Sequence, residues 1–347
     1  MGTRQGAIRN AMQDRLLFVV SPPRAGSTLL QRMLGSHSQV MTHPEPHLIT
    51  PLAHLGYHDL VDKAPYDHIN AAEAIRSFVD SLPGGEEDYL DALRAYADTL
   101  YGRMLEPSGK RYFLDKTPAY ALVLPFLRKL YPQARYVVLT RHPLAVMSSY
   151  ANSFFDGDWQ AAHAFNPVVD RYVRAISTFL GDPAEHVLQV QYETLVSEPE
   201  AQLARVFDFL QLEDEPDAVN YGDKFEAKKG MGDPITVGTR NRPEDSSVDK
   251  WATELAQDDD KLTLARGIVD GLDAADVKRW GFDKQQLWEP LERAREAIDG
   301  KSYKKPKTNN YVLQRRVMLA LKKDIDKRPH GKLVRRVRYY CNVLLRD

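Results

Sequence analysis

The feature of the sequence that most restricts the fold is a strand–loop–helix pattern near the start of the chain. Leu16–Val20 is a continuous apolar run, which is typical of a buried parallel strand. A loop that contains proline and glycine follows at Ser21–Ser27, and Thr28–Ser36 then places its apolar residues on one helical face. A buried strand that leads straight into a helix indicates a parallel sheet covered by helices.

The same alternation continues along the chain. Further strands are predicted at Tyr112–Leu114, Arg135–Thr140 and Val187–Gln191, with helical segments between them. The fold class is therefore predicted as α/β, with a P-loop-like parallel sheet flanked by helices. Residues 223–250 are rich in Gly, Pro, Lys, Asp and Ser and show no periodicity, so we expect a long ordered loop with a functional role.

The C-terminal part differs from the rest in its charge. Residues 301–347 contain 15 Lys and Arg against 3 Asp, whereas the remainder contains 32 basic and 45 acidic residues. We predict one domain over residues 15–284 and a basic, helical C-terminal extension over residues 285–347. The amphipathic pattern of the extension would suit an anionic membrane surface, an acidic carrier protein or the acidic body of the chain itself.

Composition narrows the class of protein. The single cysteine, Cys341, allows no internal disulfide and no Cys-rich metal site, and we expect no bound metal. No stretch approaches the roughly 20 apolar residues of a membrane span, and the N-terminal residues lack the apolar segment of a signal peptide. No nucleic-acid-reading motif accompanies the basic tail. The sequence therefore predicts a cytoplasmic protein, either wholly soluble or held peripherally at a membrane, without a nucleic-acid partner.

The loop after the first strand is similar to a phosphate-binding loop that lacks its lysine. In the pattern G-x-x-x-x-G-K-[ST], Ser21 stands at the first glycine and Ser27 at the lysine. Binding of a nucleoside triphosphate needs that lysine, so we predict a site for one anionic group instead. Backbone N–H groups would bind it, with Arg24, Ser27 and Thr28 as additional donors. The alternative is a tight strand-to-helix turn capped by Ser27.

A second basic turn follows a later strand. Arg141 comes at the carboxyl end of the strand Arg135–Thr140, where open α/β sheets bind ligands, and Ser149 lies two turns into the next helix. Together they could bind a second phosphate, with the guanidinium of Arg141 as a charge-assisted fork. The alternative is a surface arginine and a serine that packs between helices.

The two motifs together resemble the superfamily of sulfotransferases that use 3′-phosphoadenosine-5′-phosphosulfate (PAPS). In that family a loop P-R-[SA]-G-[ST]-[ST] holds the 5′-phosphosulfate, and a later Arg and Ser, eight positions apart, hold the 3′-phosphate. The stretches PPRAGSTLL and RHPLAVMSS match both patterns. The resemblance implies that PAPS is the donor and 3′,5′-ADP the product. It further implies that Arg141, Ser149 and the first loop bind the nucleotide, the loop residues being Pro23, Arg24, Ala25, Gly26, Ser27 and Thr28.

Finer matches point to the tyrosylprotein sulfotransferases and to bacterial and polyketide-type sulfotransferase domains. Glu45 lies 21 residues after Arg24, which is the spacing of the catalytic base in the tyrosylprotein enzymes, and His47 is a rival for that role. Lys116, in the stretch DKTP, corresponds to a lysine that approaches the transferred group. The resemblance thus implies that Arg24, Glu45 and Lys116 are catalytic, with His47 and Tyr57 on the acceptor side.

Two later segments complete the expected nucleotide site. Tyr192, in a Tyr-Glu pair after the fourth predicted strand, matches a family tyrosine that lies near the nucleotide. The stretch VGTRNRPEDSSVDKW resembles the segment that closes over the nucleotide, and either Arg240 or Arg242 would reach the 3′-phosphate. His142 is expected to be structural, because it follows the phosphate-binding arginine rather than lying on the acceptor side.

The predicted function is transfer of a sulfuryl group from PAPS to an acceptor hydroxyl by in-line displacement. The acceptor class stays open between a small molecule, a lipid, a carrier-bound acyl chain and a protein tyrosine. Two other functions also stay open: a P-loop-type kinase, and a non-catalytic interaction module that binds a nucleotide.

Overall fold

A parallel sheet lies at the centre of the molecule. The computed structural model describes residues 12–59, 68–182, 185–222 and 241–297, together with positions 331–333, 336, 337 and 340 of the C-terminal extension. The strands in this part of the chain are β1 (Leu16–Val20), β2 (Val40–Pro44), β3 (Tyr112–Lys116), β4 (Arg135–Thr140) and β5 (Val187–Gln191). Their order across the sheet is β2-β3-β1-β4-β5, and every neighbouring pair is parallel. The predicted α/β class is confirmed.

Helices connect the strands and cover both faces of the sheet. In chain order the α-helices are α1 (Ser27–Gly35), α2 (Ile49–Ala53), α3 (His68–Asp80), α4 (Glu86–Leu105), α5 (Leu124–Leu130), α6 (Pro143–Phe154), α7 (Trp159–Phe165), α8 (Val168–Leu180), α9 (Tyr192–Ser197), α10 (Pro199–Phe209), α11 (Lys250–Leu255), α12 (Asp259–Gly271), α13 (Ala274–Arg279) and α14 (Glu289–Ala297). Short 3₁₀ helices occupy Gln13–Arg15, Glu106–Ser108, Pro118–Leu122, Pro216–Val219 and Gln286–Trp288.

The sheet, with β1 at its centre, separates the core into two layers. All five of its side chains are buried, as the continuous apolar run predicted. Successive side chains of a strand point to opposite faces, so Leu17 and Val19 pack with the apolar face of α1, whereas Phe18 packs with aromatic side chains on the other face. Among these, Tyr136 stacks on Phe18 with ring centroids 5.6 Å apart. Burial on both faces fixes β1 at the middle of the sheet.

One strand was not anticipated from the sequence. β2 pairs with β3 at the edge of the sheet, with Val40 opposite Tyr112 and Pro44 opposite Lys116. Only Val40 in this strand is buried, so the segment lacks the apolar run that marks a central strand. A proline is tolerated here because an edge strand leaves one row of its N–H groups outside the ladder.

The C-terminal extension is described only in part. Positions 331–333, 336, 337 and 340 are helical, and most of the extension lies outside the described residues. Leu287 and Leu291 are buried in the same core cluster as the helices that cover the sheet, so the first residues after 284 pack on the main domain. The division at residue 284 stays a prediction. Among the helices that the structure describes, none has the length and apolarity that crossing a membrane requires.

The loop between β1 and α1 depends on a glycine. Gly26 has φ +95°, and a Cβ placed there would lie 2.5 Å from the Cδ2 atom of the Tyr192 ring. We therefore predict that Gly26→Ala lowers the free energy of unfolding by at least about 2 kcal/mol, because the left-handed conformation and the overlap both cost energy. Urea denaturation monitored by circular dichroism measures this.

Gly267, inside α12, provides the matched control for that substitution. A Cβ at Gly267 meets nothing within 4 Å. Gly267→Ala should therefore stabilise the protein by about 0.5–1 kcal/mol, since alanine is the better helix former. Equal effects at the two glycines would contradict the role assigned to Gly26.

Candidate active site

The first loop presents the N-terminus of a helix to the carboxyl edge of the sheet. Arg24 (φ 68°) and Gly26 (φ 95°) both have left-handed backbone conformations, which turn the chain sharply between β1 and α1. Gly26 is the N-cap of α1, and no side chain caps the helix there. The alternative in which Ser27 caps the helix is therefore wrong, because the helix already includes Ser27. An uncapped helix N-terminus offers N–H groups and a partial positive charge to an anion.

The two sequence motifs meet at this loop, although 117 residues separate their arginines. Nη1 of Arg141 donates to the carbonyl oxygen of Arg24 at 3.0 Å. Nε of Arg24 in turn donates to Oγ of Ser149 at 3.3 Å. The meeting follows from topology, since β1 and β4 are neighbouring parallel strands and their carboxyl ends open on the same edge.

Arg141 is a buried cation that donates hydrogen bonds to backbone carbonyl oxygens. It is 6% exposed, Nη2 donates to the carbonyl oxygen of Ser247 at 3.0 Å, and the ring of Tyr192 lies 4.2 Å from the guanidinium carbon. Its Nε has no hydrogen-bond partner among the described residues. Burial lowers the pKa of Arg141 from its ordinary value, although Glu193 and the Tyr192 phenol act in the opposite direction. An anion bound next to this guanidinium would offset the cost of its burial.

A second charged cluster lies at the ends of β2 and β3. Pro44 pairs with Lys116 in the ladder, so Glu45 leaves the sheet directly beside that lysine. Nζ of Lys116 lies 2.5 Å from Oε1 of Glu45 and 3.3 Å from Oγ1 of Thr28 in the first turn of α1. Lys116 is 1% exposed, whereas the side chain of Glu45 is 20% exposed. The carboxylate of Glu45 is thus partly exposed to solvent, and its ion pair with the buried Lys116 fixes its position.

His47 completes this cluster on its exposed side. Its Nε2 lies 3.9 Å from Oε2 of Glu45, and half of its side chain is exposed. Both Glu45 (φ 32°) and His47 (φ 54°) have left-handed backbone conformations, which are uncommon outside glycine. Strained conformations of this kind persist only where the surrounding structure imposes them, and they concentrate at functional sites.

Asp115 supports the cluster from the opposite side of β3. This fully buried carboxylate accepts hydrogen bonds from the hydroxyls of Tyr101 (2.6 Å), Thr117 (2.9 Å) and Tyr120 (3.0 Å). The Tyr120 hydroxyl also accepts from the backbone N–H of Ile49, four residues after Glu45. Burial raises the pKa of Asp115 to about 6, and the three hydrogen bonds offset part of that shift. The sequence pattern gave no reason to single out this network.

Comparison with known proteins identifies the family of the chain. A family model described as the sulfotransferase family matches residues 17–216, which is more than half of the chain. The chain belongs to the sulfotransferase family. The matched segment contains the first loop, Glu45, Lys116, Arg141 and Tyr192.

Individual relatives are distant. The chain is 27% identical over 263 residues to the nodulation protein NoeE of Sinorhizobium fredii, covering 69% of this chain and 60% of that protein. It is 25% identical over 201 residues to protein-tyrosine sulfotransferase 1 of Danio rerio, covering 57% and 53% respectively. The chain thus spans a little more than half the length of these two curated relatives.

Two solved structures have a similarly low sequence identity to this chain. A sulfotransferase domain from the curacin biosynthetic pathway is 24% identical with a TM-score of 0.46, covering 68% of this chain and 89% of that one. A sulfotransferase domain from the Synechococcus PCC 7002 olefin synthase is 24% identical with a TM-score of 0.47, covering 74% and 95%.

Other predicted site residues have contacts with different partners or lie outside the described part of the chain. Tyr57 packs against Tyr89 of α4, with ring centroids 5.0 Å apart, and these contacts do not join it to Glu45. The side chain of Arg242 forms an ion pair with Glu200, and Arg240 lies outside the described residues. In the segments that the structure describes, no group of three or more His, Cys, Asp or Glu side chains could hold a metal ion.

His142 has the structural environment that the sequence predicted. It is fully buried, its Nε2 lies 3.0 Å from the carbonyl oxygen of Leu287, and its ring stacks on Trp251 with centroids 4.3 Å apart. Burial lowers the pKa of His142 to about 3, so the imidazole is neutral at physiological pH. The sequence did not predict a role for Ser247. It lies in the segment 223–250 that was expected to be a functional loop, but only its hydrogen bonds with Arg141 and Tyr192 single it out from its neighbours.

The raised pKa of Asp115 generates a prediction about stability and pH. Between about pH 4 and 6 the folded state holds a proton on Asp115 that the unfolded chain releases, so this group favours folding more as the pH falls through that window. Above pH 6 the full cost of burying the carboxylate is present. The stability of the wild type relative to Asp115→Asn should therefore improve by about 2 kcal/mol between pH 7 and pH 4.5.

Urea denaturation of both proteins at the two pH values measures this difference. Asp182→Asn, which changes an exposed carboxylate, is the control and should show the same difference from the wild type at both pH values. A difference for Asp115→Asn that does not change with pH would contradict the predicted titration.

Proposed function

We propose that this member of the family transfers a sulfuryl group from PAPS to an acceptor hydroxyl and releases 3′,5′-ADP. One observation carries the proposal. The two predicted anion-binding motifs meet through Arg24, Arg141 and Ser149, and Lys116, which pairs with Glu45, contacts Thr28 in the helix that follows the first loop. A nucleotide with phosphates at both ends, and a reactive group at one of them, fits such an arrangement.

The residues present fit each end of the proposed donor. The uncapped N-terminus of α1 would bind the 5′-phosphosulfate through the backbone N–H groups of Arg24–Thr28. Arg141, whose Nε has no partner among the described residues, would bind the 3′-phosphate together with Ser149. Tyr192 packs over that guanidinium, close to where the nucleotide would lie. Arg240 and Arg242 are both retained as candidates for a further contact with the 3′-phosphate.

The chemistry would be an in-line displacement at sulfur. The acceptor oxygen forms a bond to sulfur while the bond from sulfur to the phosphate oxygen breaks, and 3′,5′-ADP leaves. Lys116 lies between the loop and Glu45, where it could neutralise charge on the leaving oxygen. Glu45 would take the acceptor proton, and its partly exposed side chain is accessible to an acceptor. His47 is the second candidate for the base, because it lies beside Glu45 and is more exposed.

The acceptor is proposed only as a class, namely a compound or protein that bears a hydroxyl. A relative named protein-tyrosine sulfotransferase makes a protein tyrosine one option. A carrier-bound acyl chain, a lipid and a small molecule are the others. We also propose that residues 285–347 form a basic extension of the catalytic domain 15–284, and that the protein acts in the cytoplasm. The extension would bind an anionic membrane surface or an acidic carrier protein.

Ligand preference tests the proposed donor. Isothermal titration calorimetry should show that 3′,5′-ADP binds without added metal and more tightly than ATP with Mg²⁺, because the first loop lacks the lysine that nucleoside triphosphates require. Incubation with PAPS and a panel of hydroxyl compounds, followed by mass spectrometry, should reveal products that have gained one SO₃ group. Tighter binding of ATP with Mg²⁺ would favour a kinase instead, and binding without any sulfated product would favour an interaction module.

Substitution of the two candidate bases separates their roles. Glu45→Gln should lower kcat by roughly 10²–10⁴-fold with the acceptor found in that screen, while the Kd of 3′,5′-ADP changes less than about threefold. His47→Gln is the matched control, and we expect its kcat to fall by less than about tenfold. The reverse result would move the assignment of the base from Glu45 to His47.

A further inference from the structure

Glu254 is a buried carboxylate outside the residues already assigned to the site. It lies on α11 and is 3% exposed. Its Oε2 accepts hydrogen bonds from Oγ of Ser148 (2.6 Å) and Nδ2 of Asn152 (3.0 Å). Its Oε1 accepts from Nε1 of Trp159 (3.2 Å) and Nζ of Lys261 (2.6 Å). Both oxygens are therefore satisfied by donors from three different helices, α6, α7 and α12.

One of these helices carries the serine assigned to the 3′-phosphate. Ser148 directly precedes Ser149 on α6, and Asn152 lies one turn further along the same helix. The two hydrogen bonds from this helix to Oε2 of Glu254 join α6 to α11. The position of Ser149 relative to α11 therefore depends on Glu254.

The segment that precedes α11 contacts the other residue assigned to the 3′-phosphate, Arg141. Ser247 lies three residues before the start of α11, its carbonyl oxygen accepts from Arg141, and its hydroxyl lies 2.9 Å from the Tyr192 hydroxyl. At the start of α11, Trp251 stacks on His142, the residue next to Arg141. α11 thus links Arg141 to the carboxylate that holds α6.

We propose that Glu254 is a positioning residue that fixes Ser149 and the Ser247 segment around Arg141, so that the protein discriminates nucleotides with a 3′-phosphate from those without one. The inference rests on the proposed function. A buried carboxylate with four donors is costly to disturb, because loss of its charge or of one oxygen leaves buried donors without partners. The donors from α6 and those from α7 and α12 bond different oxygens, so an amide at this position cannot replace both sets.

Binding of two nucleotides that differ only in the 3′-phosphate tests the proposal. In isothermal titration calorimetry, Glu254→Gln should raise the Kd of 3′,5′-ADP about tenfold and leave the Kd of 5′-AMP within about twofold of the wild type. Ser148→Ala removes one of the two hydrogen bonds from α6 and leaves that of Asn152, so it should act in the same direction with a smaller effect of about threefold. This second variant keeps the test informative in case Glu254→Gln folds poorly.

Asp98→Asn is the matched control. Asp98 is a partly buried carboxylate on α4 that accepts a hydrogen bond from the Tyr131 hydroxyl at 2.7 Å, so the substitution disturbs a polar contact outside the nucleotide site. Both Kd values should stay within about twofold of the wild type in this variant.

The outcomes separate this proposal from the proposed function. A wild-type protein that does not bind 3′,5′-ADP would overturn the proposed function, and this inference with it. A wild-type protein that binds 3′,5′-ADP more tightly than 5′-AMP would leave the proposed function standing. In that case, equal changes for the two nucleotides in Glu254→Gln and Ser148→Ala, or no change in either variant, would show that Glu254 only supports the fold.

Discussion

The buried guanidinium of Arg141 is the interaction on which the arrangement of the site depends. It joins the carbonyl oxygen of Arg24 in the first loop to that of Ser247 in a segment more than 200 residues later, and it lies against the ring of Tyr192. Carbonyl oxygens carry only partial charges, so much of the electrostatic field of the cation remains available for a ligand. The folded protein thereby places a positive charge at the carboxyl edge of the sheet.

The sheet supplies the rigidity that this arrangement needs. Arg24, Glu45 and His47 are three of the five non-glycine residues with positive φ among the described positions, and all three lie just beyond the ends of strands. Each such conformation costs about 1–3 kcal/mol and persists because the flanking structure holds it. The ladder between β2 and β3 also brings Glu45 within 2.5 Å of Lys116, which keeps the acid and the lysine in register.

Two buried carboxylates support the site from outside it. Asp115 ties the end of β3 to α4 and to the backbone near Glu45, whereas Glu254 ties α6 to α11. Asp115 is satisfied by neutral hydroxyls, and Glu254 has one charged donor, Lys261. Networks of this kind specify one arrangement of the surrounding helices, because any other arrangement leaves a buried polar group without a partner.

Much of the fold and part of the site follow from the sequence by itself. The apolar runs of β1, β3 and β4 identify buried strands, because only a central position can cover both faces of such a run. β5 was also predicted as a strand, but it lies at the edge of the sheet and only Val190 in it is buried. Parallel strands open their carboxyl ends on one edge, so the turns that carry Arg24 and Arg141 were expected to lie together. The resemblance to the sulfotransferases also singled out Glu45 and Lys116, although it did not pair them.

Only the tertiary structure decided which distant residues meet. β2 carries no apolar run, so its pairing with β3, and hence the contact between Glu45 and Lys116, depends on strand order rather than on local pattern. The same holds for Ser247, Asp115 and Glu254, which are ordinary polar residues in the sequence. The local pattern of apolar and polar residues in the sequence indicates whether a residue will be buried. The hydrogen bonds of a buried polar group are fixed by the packing of helices and strands from remote parts of the chain.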